Sequence, residues 1–88
     1  MQIGRKIYFE KANGIVVWDK GEMSGDVRET TLDEDKAVMP LLSVLDAKSQ
    51  LGILQLDYSA DSDKFASCEG YYINVADNLV VFLTATSA

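Results

Sequence analysis

Tyr71-Tyr72-Ile73-Asn74-Val75-Ala76-Asp77-Asn78-Leu79-Val80-Val81-Phe82 reads as two strands joined by a tight turn at Asp77-Asn78. Asp and Asn tolerate the positive φ angles that a short hairpin loop requires. A second copy of the pattern lies near the start of the chain, Ile7-Tyr8-Phe9-Glu10-Lys11-Ala12-Asn13-Gly14-Ile15-Val16-Val17-Trp18. Superposed without a gap, the two segments match Tyr8 with Tyr72, Ala12 with Ala76, Val16 with Val80 and Val17 with Val81. Asn13-Gly14 then lies over Asp77-Asn78, and Trp18 over Phe82.

These stretches predict β-hairpins over about residues 6–19 and 70–83. A two-residue loop at Asn13-Gly14 would set Lys11 opposite Val16 and Phe9 opposite Trp18. One face would hold Ile7, Phe9, Val16 and Trp18, and its two large aromatics assign it to the core. Tyr8, Glu10, Ile15, Val17 and Asp19 would face away. In the second hairpin Ile73 would face Phe82, with Val75 and Val80 on the same side. Tyr72, Asn74, Leu79, Val81 and Leu83 would share the other side. That side is too apolar for full exposure, so it is either covered by a helix or used for association.

Between the hairpins, residues 20–26 read as a loop and Val27 to Thr31 as a short edge strand. Thr30 or Thr31 suits a helix N-cap, and Asp33, Glu34 and Asp35 complement the positive end of the helix dipole. Val38, Leu41, Leu42 and Leu45 form one apolar stripe, which predicts helix over about residues 32–47. Pro40 lies inside it, so the helix either kinks or divides with Pro40 in the first turn of the second piece. Residues 51–58 predict a partly covered, central strand with Leu54, Leu56 and Tyr58 on one face. Residues 59–67 read as a loop or single helical turn with Phe65 plugging the core, and residues 84–88 as a frayed tail. The sum is a single small α+β domain, mainly antiparallel sheet packed on one helix.

The chain has 88 residues, enough to bury roughly 60–65% of its unfolded surface around one modest core. Its net charge of −6 argues against a basic nucleic-acid footprint and against an anionic membrane surface as partner. With Cys68 as the sole cysteine, no internal disulfide forms, and a small buried apolar role is expected for it. There is no His to activate it as a nucleophile. The N-terminal residues lack the apolar run of a signal peptide, which points to folding in a cytoplasm.

No constellation of residues carries chemistry. Asp57, Asp61 and Asp63 fail the calcium-loop pattern, because Ser62 stands where Gly is required and Cys68 where Glu is. Gly21 and Gly25 flank a loop without the Lys-Ser/Thr of a phosphate cradle. No catalytic, cofactor-binding or metal residue is assigned. Tyr8, Tyr58, Tyr71, Tyr72 and Trp18 are read chiefly as core filling, with a binding surface as the alternative.

Four segments resemble a family of small proteins encoded by phages and prophages of Gram-positive bacteria. They are Ile7-Tyr8-Phe9-Glu10-Lys11 with Gly14; Gly21-Glu22 followed by Gly25-Asp26-Val27 and Glu29-Thr30-Thr31; Gly52 to Tyr58; and Asp63 to Asn74. The resemblance covers about residues 6 to 82. Family genes sit beside those for the tail tip, baseplate and tail fibres, and the family pattern contains no catalytic residue. Pro40, Lys36 and the turn Val75-Ala76-Asp77-Asn78 depart from that pattern. The resemblance implies a non-enzymatic structural or accessory protein acting through contacts with other tail proteins or with itself, as a homo-oligomer. It would be made in the bacterial host, with the virion as a destination. Tyr72, Leu79, Val81 and Leu83 are the interface residues expected on this reading. The alternative is a small acidic inhibitor of a host nuclease or defence protein that imitates nucleic-acid charge.

Overall fold

The computed structural model describes residues 2–83. Seven strands and three helices follow in order: β1 (Gln2–Ile3), β2 (Lys6–Glu10), β3 (Val16–Asp19), β4 (Met23–Ser24), α1 (Leu32–Val38), α2 (Leu41–Ala47), β5 (Leu51–Gln55), α3 (Ser62–Ser67), β6 (Gly70–Asn74) and β7 (Leu79–Leu83). All strand pairing is antiparallel. The main sheet has the order β3-β2-β5; β6 and β7 form a separate ribbon, and β1 pairs with β4. This is the small α+β architecture that the sequence implied. The expected fraying of residues 84–88 concerns residues outside those described.

The layering differs from the expectation of two ribbons on one helix. The central strand is β2, not the 51–58 segment, whose strand β5 stops at Gln55 and lies at the sheet edge. Both faces of β2 are covered, so Ile7, Tyr8 and Phe9 are all buried. On one face Tyr8 packs with Leu42, Leu45 and Leu51, flanked by Val17, Trp18, Leu32 and Met39. On the other, Ile7 and Phe9 pack with Ile73 and are flanked by Val16, Leu54, Leu56, Phe65, Tyr71 and Val80. Helices therefore cover one side of the main sheet, and the second hairpin with α3 covers the opposite side.

Two features of the first hairpin overturn the expected register. Its loop has four residues, 11–14, closed by Glu10 and Ile15, whose N–H and C=O meet at 2.9 Å. Beyond it, Phe9 pairs with Val16 and Tyr8 with Trp18, so Val17 is an extra residue in a β-bulge. The bulge turns Trp18 onto the Tyr8 face, where the rings stack with centroids 6.0 Å apart. Phe9 and Trp18 thus lie on opposite faces, and the Tyr8 face, expected to point outward, is core.

The second hairpin repeats the same loop. Glu10 C=O accepts from the N–H groups of Asn13 and Gly14, and Asn74 C=O accepts from those of Asp77 and Asn78. The Asn13 side chain accepts from Ile15 N–H at 2.9 Å, and the Asp77 side chain from Leu79 N–H at 3.1 Å. Gly14 and Asn78 both have positive φ, 75° and 57°. The pairing of Ile73 with Val80 replaces the expected Ile73–Phe82 pair, and Tyr71 stands opposite Phe82. The division of side chains between faces is the expected one for β6 and β7, because the register differs by two residues, a whole side-chain period.

The helical segment is divided, not kinked: α1 ends at Val38, and Pro40 is the N-cap of α2. Thr31 caps α1 in a capping box with Glu34. The break rotates the two pieces out of phase. Leu42 and Leu45 stay in the core, whereas Val38 and Leu41 of the expected stripe are exposed. Residues 27–31 form no strand; the short strand of this region is β4, inside the expected loop 20–26, and it pairs with β1. Phe65 lies on α3 and packs edge-on against Tyr71 and Phe82, as its role as a plug required.

Candidate functional site

Two polar clusters lie inside the protein. In the first, α1 brings Asp35 under the main sheet, where its side chain is 2% exposed. The Tyr8 hydroxyl donates to one carboxylate oxygen of Asp35. Lys20 Nζ, at 2.8 Å, and the Thr30 hydroxyl, at 2.5 Å, donate to the other. Lys20 also donates to the Thr30 hydroxyl. Burial alone would push the Asp35 pKa up, but the donors Lys20, Thr30 and Tyr8 together outweigh it and hold the carboxyl below its ordinary value. The Tyr8 phenol is pushed well above its usual range, first by burial and then by its bond to Asp35.

The second cluster joins the main sheet to the second hairpin. Asp19 accepts from Arg5 at 2.6 Å, from the Tyr71 hydroxyl, and from Gly21 N–H at 2.7 Å. The Arg5 guanidinium lies over the Phe65 ring, 4.0 Å from its centroid, which ties α3 to the same point. Burial, followed by the bond to Asp19, raises the Tyr71 pKa well above its usual range.

The cavity beside Lys6, Lys20 and Thr30 measures about 10 Å³, room for at most one water. Tyr8 is wholly buried, so its proton has no route to a ligand. Each cluster ties separate parts of the chain together. They also predict alkaline behaviour. Raised folded-state pKa values for Tyr8 and Tyr71 give stability that is fully present below about pH 10 and is lost as pH rises further. Alkaline denaturation followed by tyrosinate absorbance is expected to show these two phenols ionising together with unfolding. Ionisation of either while the fold persists would contradict the assignment.

The exposed candidate is the outer face of the second hairpin. Tyr72 is 40% exposed, Leu79 61% and Leu83 50%, with Val81 partly covered between them. The register places Tyr72 opposite Val81, and Asn74 opposite Leu79, so the four expected interface residues share one surface. Among the described residues no helix covers Leu79 or Leu83; α1 and α2 pack on the Tyr8 face of the main sheet. Of the remaining aromatic residues, Tyr8 is core, Trp18 and Tyr71 are half-buried, and Tyr58 is exposed. Cys68 is half-buried, not enclosed, and its Sγ lies 3.4 Å from the Phe65 carbonyl.

The sequence reading missed the Asp35 cluster, because Asp35 was assigned to the helix dipole. A signal was present: Leu32, Asp35 and Met39 fall at i, i+3 and i+7, and this is the stripe of α1 that meets the core. Among the described residues no group of three or more His, Cys, Asp or Glu side chains is placed to hold a metal ion. No helix there is long and apolar enough to cross a membrane. Comparison with protein-family models, curated proteins and solved structures returned no match.

Proposed function

We propose that this chain is a non-catalytic contact module, a structural or accessory protein of a phage tail-tip or baseplate region, that docks through the outer face of its second hairpin. The observation that carries the reading is the charge-free apolar surface of Tyr72, Leu79, Val81 and Leu83 on a chain of net charge −6. Such a surface costs solubility unless a partner covers it. The phage setting comes from the resemblance of residues 6 to 82 described above. The inhibitor reading draws less support. It needs free carboxylates in an ordered array, and five of the fourteen, Asp19, Glu34, Asp35, Asp46 and Asp61, are ion-paired.

Mass spectrometry of purified virions, paired with capture of tail proteins by the tagged chain, tests the proposal. Wild type is expected in one or both. The double variant Leu79→Lys/Leu83→Lys is expected to fall at least tenfold while keeping its melting temperature, because both side chains point to solvent. Equal recovery of wild type and variant would reject the surface. Absence from virions together with capture of a host nuclease would reject the structural role.

A further inference from the structure

Asn13 is the one asparagine followed by glycine; Asn74 precedes Val75, and Asn78 precedes Leu79. Asparagine is thermolabile because the next backbone nitrogen can attack its side-chain amide. Glycine in the next position favours the attack, having no side chain to crowd the approach and turning freely. Base removes the proton of the Gly14 nitrogen, which then bonds to Asn13 Cγ. The Cγ–Nδ2 bond breaks, ammonia leaves, and a cyclic imide remains. Water opens the imide at either carbonyl. One product is Asp; the other is isoaspartate, in which the main chain runs through the former side chain and gains a carbon.

Each reacting atom is held in the folded chain. The Gly14 N–H that must give up its proton donates to Glu10 C=O at 2.7 Å. The Asn13 side chain is fixed at both ends: Oδ1 accepts from Ile15 N–H at 2.9 Å, and Nδ2 donates to the Glu10 carboxylate at 3.2 Å. Gly14 is buried, its Cα lies against the Ile73 carbonyl, and its C=O accepts from Ile73 N–H at 2.9 Å. While the second hairpin is docked, the glycine cannot turn its nitrogen onto Cγ. Asn13 itself is exposed, so base and water reach it without opening of the main sheet.

We propose that Asn13 is a deamidation site whose rate is set by undocking of the second hairpin, and that its isoaspartyl product prevents that hairpin from docking again. The nitrogen is released when Ile73 leaves Gly14, which is a local opening of one layer and not unfolding of the whole chain. The product then closes the way back. A lengthened loop displaces Gly14 at a point where even a Cβ would lie 1.8 Å from the Ile73 oxygen. The new carboxylate also replaces the Nδ2 donor beside Glu10, so two negative charges meet in a chain that is already acidic. Neither effect depends on what the outer face of the hairpin binds.

The full chain, aged in mildly alkaline buffer and followed by peptide mapping with mass spectrometry, provides the test. Asn13 is expected to deamidate at least about tenfold more slowly in the native chain than in urea, because the native reaction waits for local opening. Asn74 and Asn78 are expected to stay intact in both. Ile73→Val, which loosens the docked face, is expected to raise the native rate about two- to tenfold. Tyr8→Phe, which loosens the opposite face, is expected to leave it at the wild-type value. Equal acceleration by the two variants would assign the rate to global unfolding and overturn the proposal, as would equal rates in native buffer and in urea. Hydrogen exchange of the isolated isoaspartyl form reads the second half directly, since the acceptor of Ile73 N–H is Gly14 C=O. Fast exchange at Ile73 is expected, with β2 and β5 still protected. Asn13→Asp, which adds the charge without lengthening the backbone, is expected to keep most of the protection at Ile73. An isoaspartyl form that protects Ile73 as wild type does would show that the hairpin docks again.

Discussion

Replacing Gly14 by Ala is expected to destabilise the fold by about 4 kcal/mol, a drop of roughly 15–30 °C in melting temperature. Two costs combine. Gly14 has φ of 75°, where a side chain costs about 1–2 kcal/mol. A Cβ there would also lie 1.8 Å from the Ile73 carbonyl oxygen. That oxygen belongs to a strand and cannot step aside alone. Relief requires the second hairpin to lift, which breaks the bond from Ile73 N–H to Gly14 C=O and exposes Ile73, now 1% exposed. Gly21→Ala is the control. Its φ is 70° but nothing lies within 4 Å of the added carbon, so the backbone cost of about 1 kcal/mol is all that is expected. Urea denaturation of the two variants measures the difference. Equal losses would mean that the Gly14–Ile73 contact does not hold the layers together.

Asp35→Asn is expected to cost about 3–5 kcal/mol, because it leaves the Lys20 ammonium buried without a counter-charge. The Coulombic value of the pair is not the main issue; the desolvated partner left behind is. Removing both charges in Lys20→Met/Asp35→Asn, which keeps an acceptor for the Tyr8 hydroxyl, is therefore expected to recover most of the loss. The acid side gives an independent check. Since the folded Asp35 pKa is held below its ordinary value, the group contributes stability that is complete above about pH 5 and declines as pH falls through the lower folded pKa. Wild type is expected to lose stability as pH falls below about 5, and Asp35→Asn to lose visibly less over the same range. Parallel curves for the two proteins would show that Asp35 is not ionised in the fold.

Both hairpins were legible because their signals are local. The Asn13-Gly14 and Asp77-Asn78 pairs mark where the chain reverses, and the doubled pattern corresponds to a doubled loop with the same hydrogen bonds. Register was not legible. A two-residue and a four-residue loop share the same turn residues, and the Val17 bulge answers to packing against Leu42 and Leu45 across the molecule. The division at Pro40 followed from proline chemistry, but which stripe of each helix turns inward depends on the sheet beneath. Burial of Asp35 was hidden for a similar reason: its partners Tyr8, Lys20 and Thr30 come from three separate parts of the chain. The four outer residues of the second hairpin could be grouped from alternation alone, which survives a register shift of two residues.

The placement of β2 has a consequence for how the chain folds. Its partner β3 is close in sequence, but its other partner β5 is distant, and the helices must be laid down between them. Closing that long loop carries an entropic cost that hairpin formation does not. The ribbons at either end are therefore expected to zip early, and docking of β5 onto β2 to limit the rate. Side chains truncated on β5 or at the β6–β7 turn should slow refolding, whereas truncating contacts completed only after that docking should chiefly hasten unfolding.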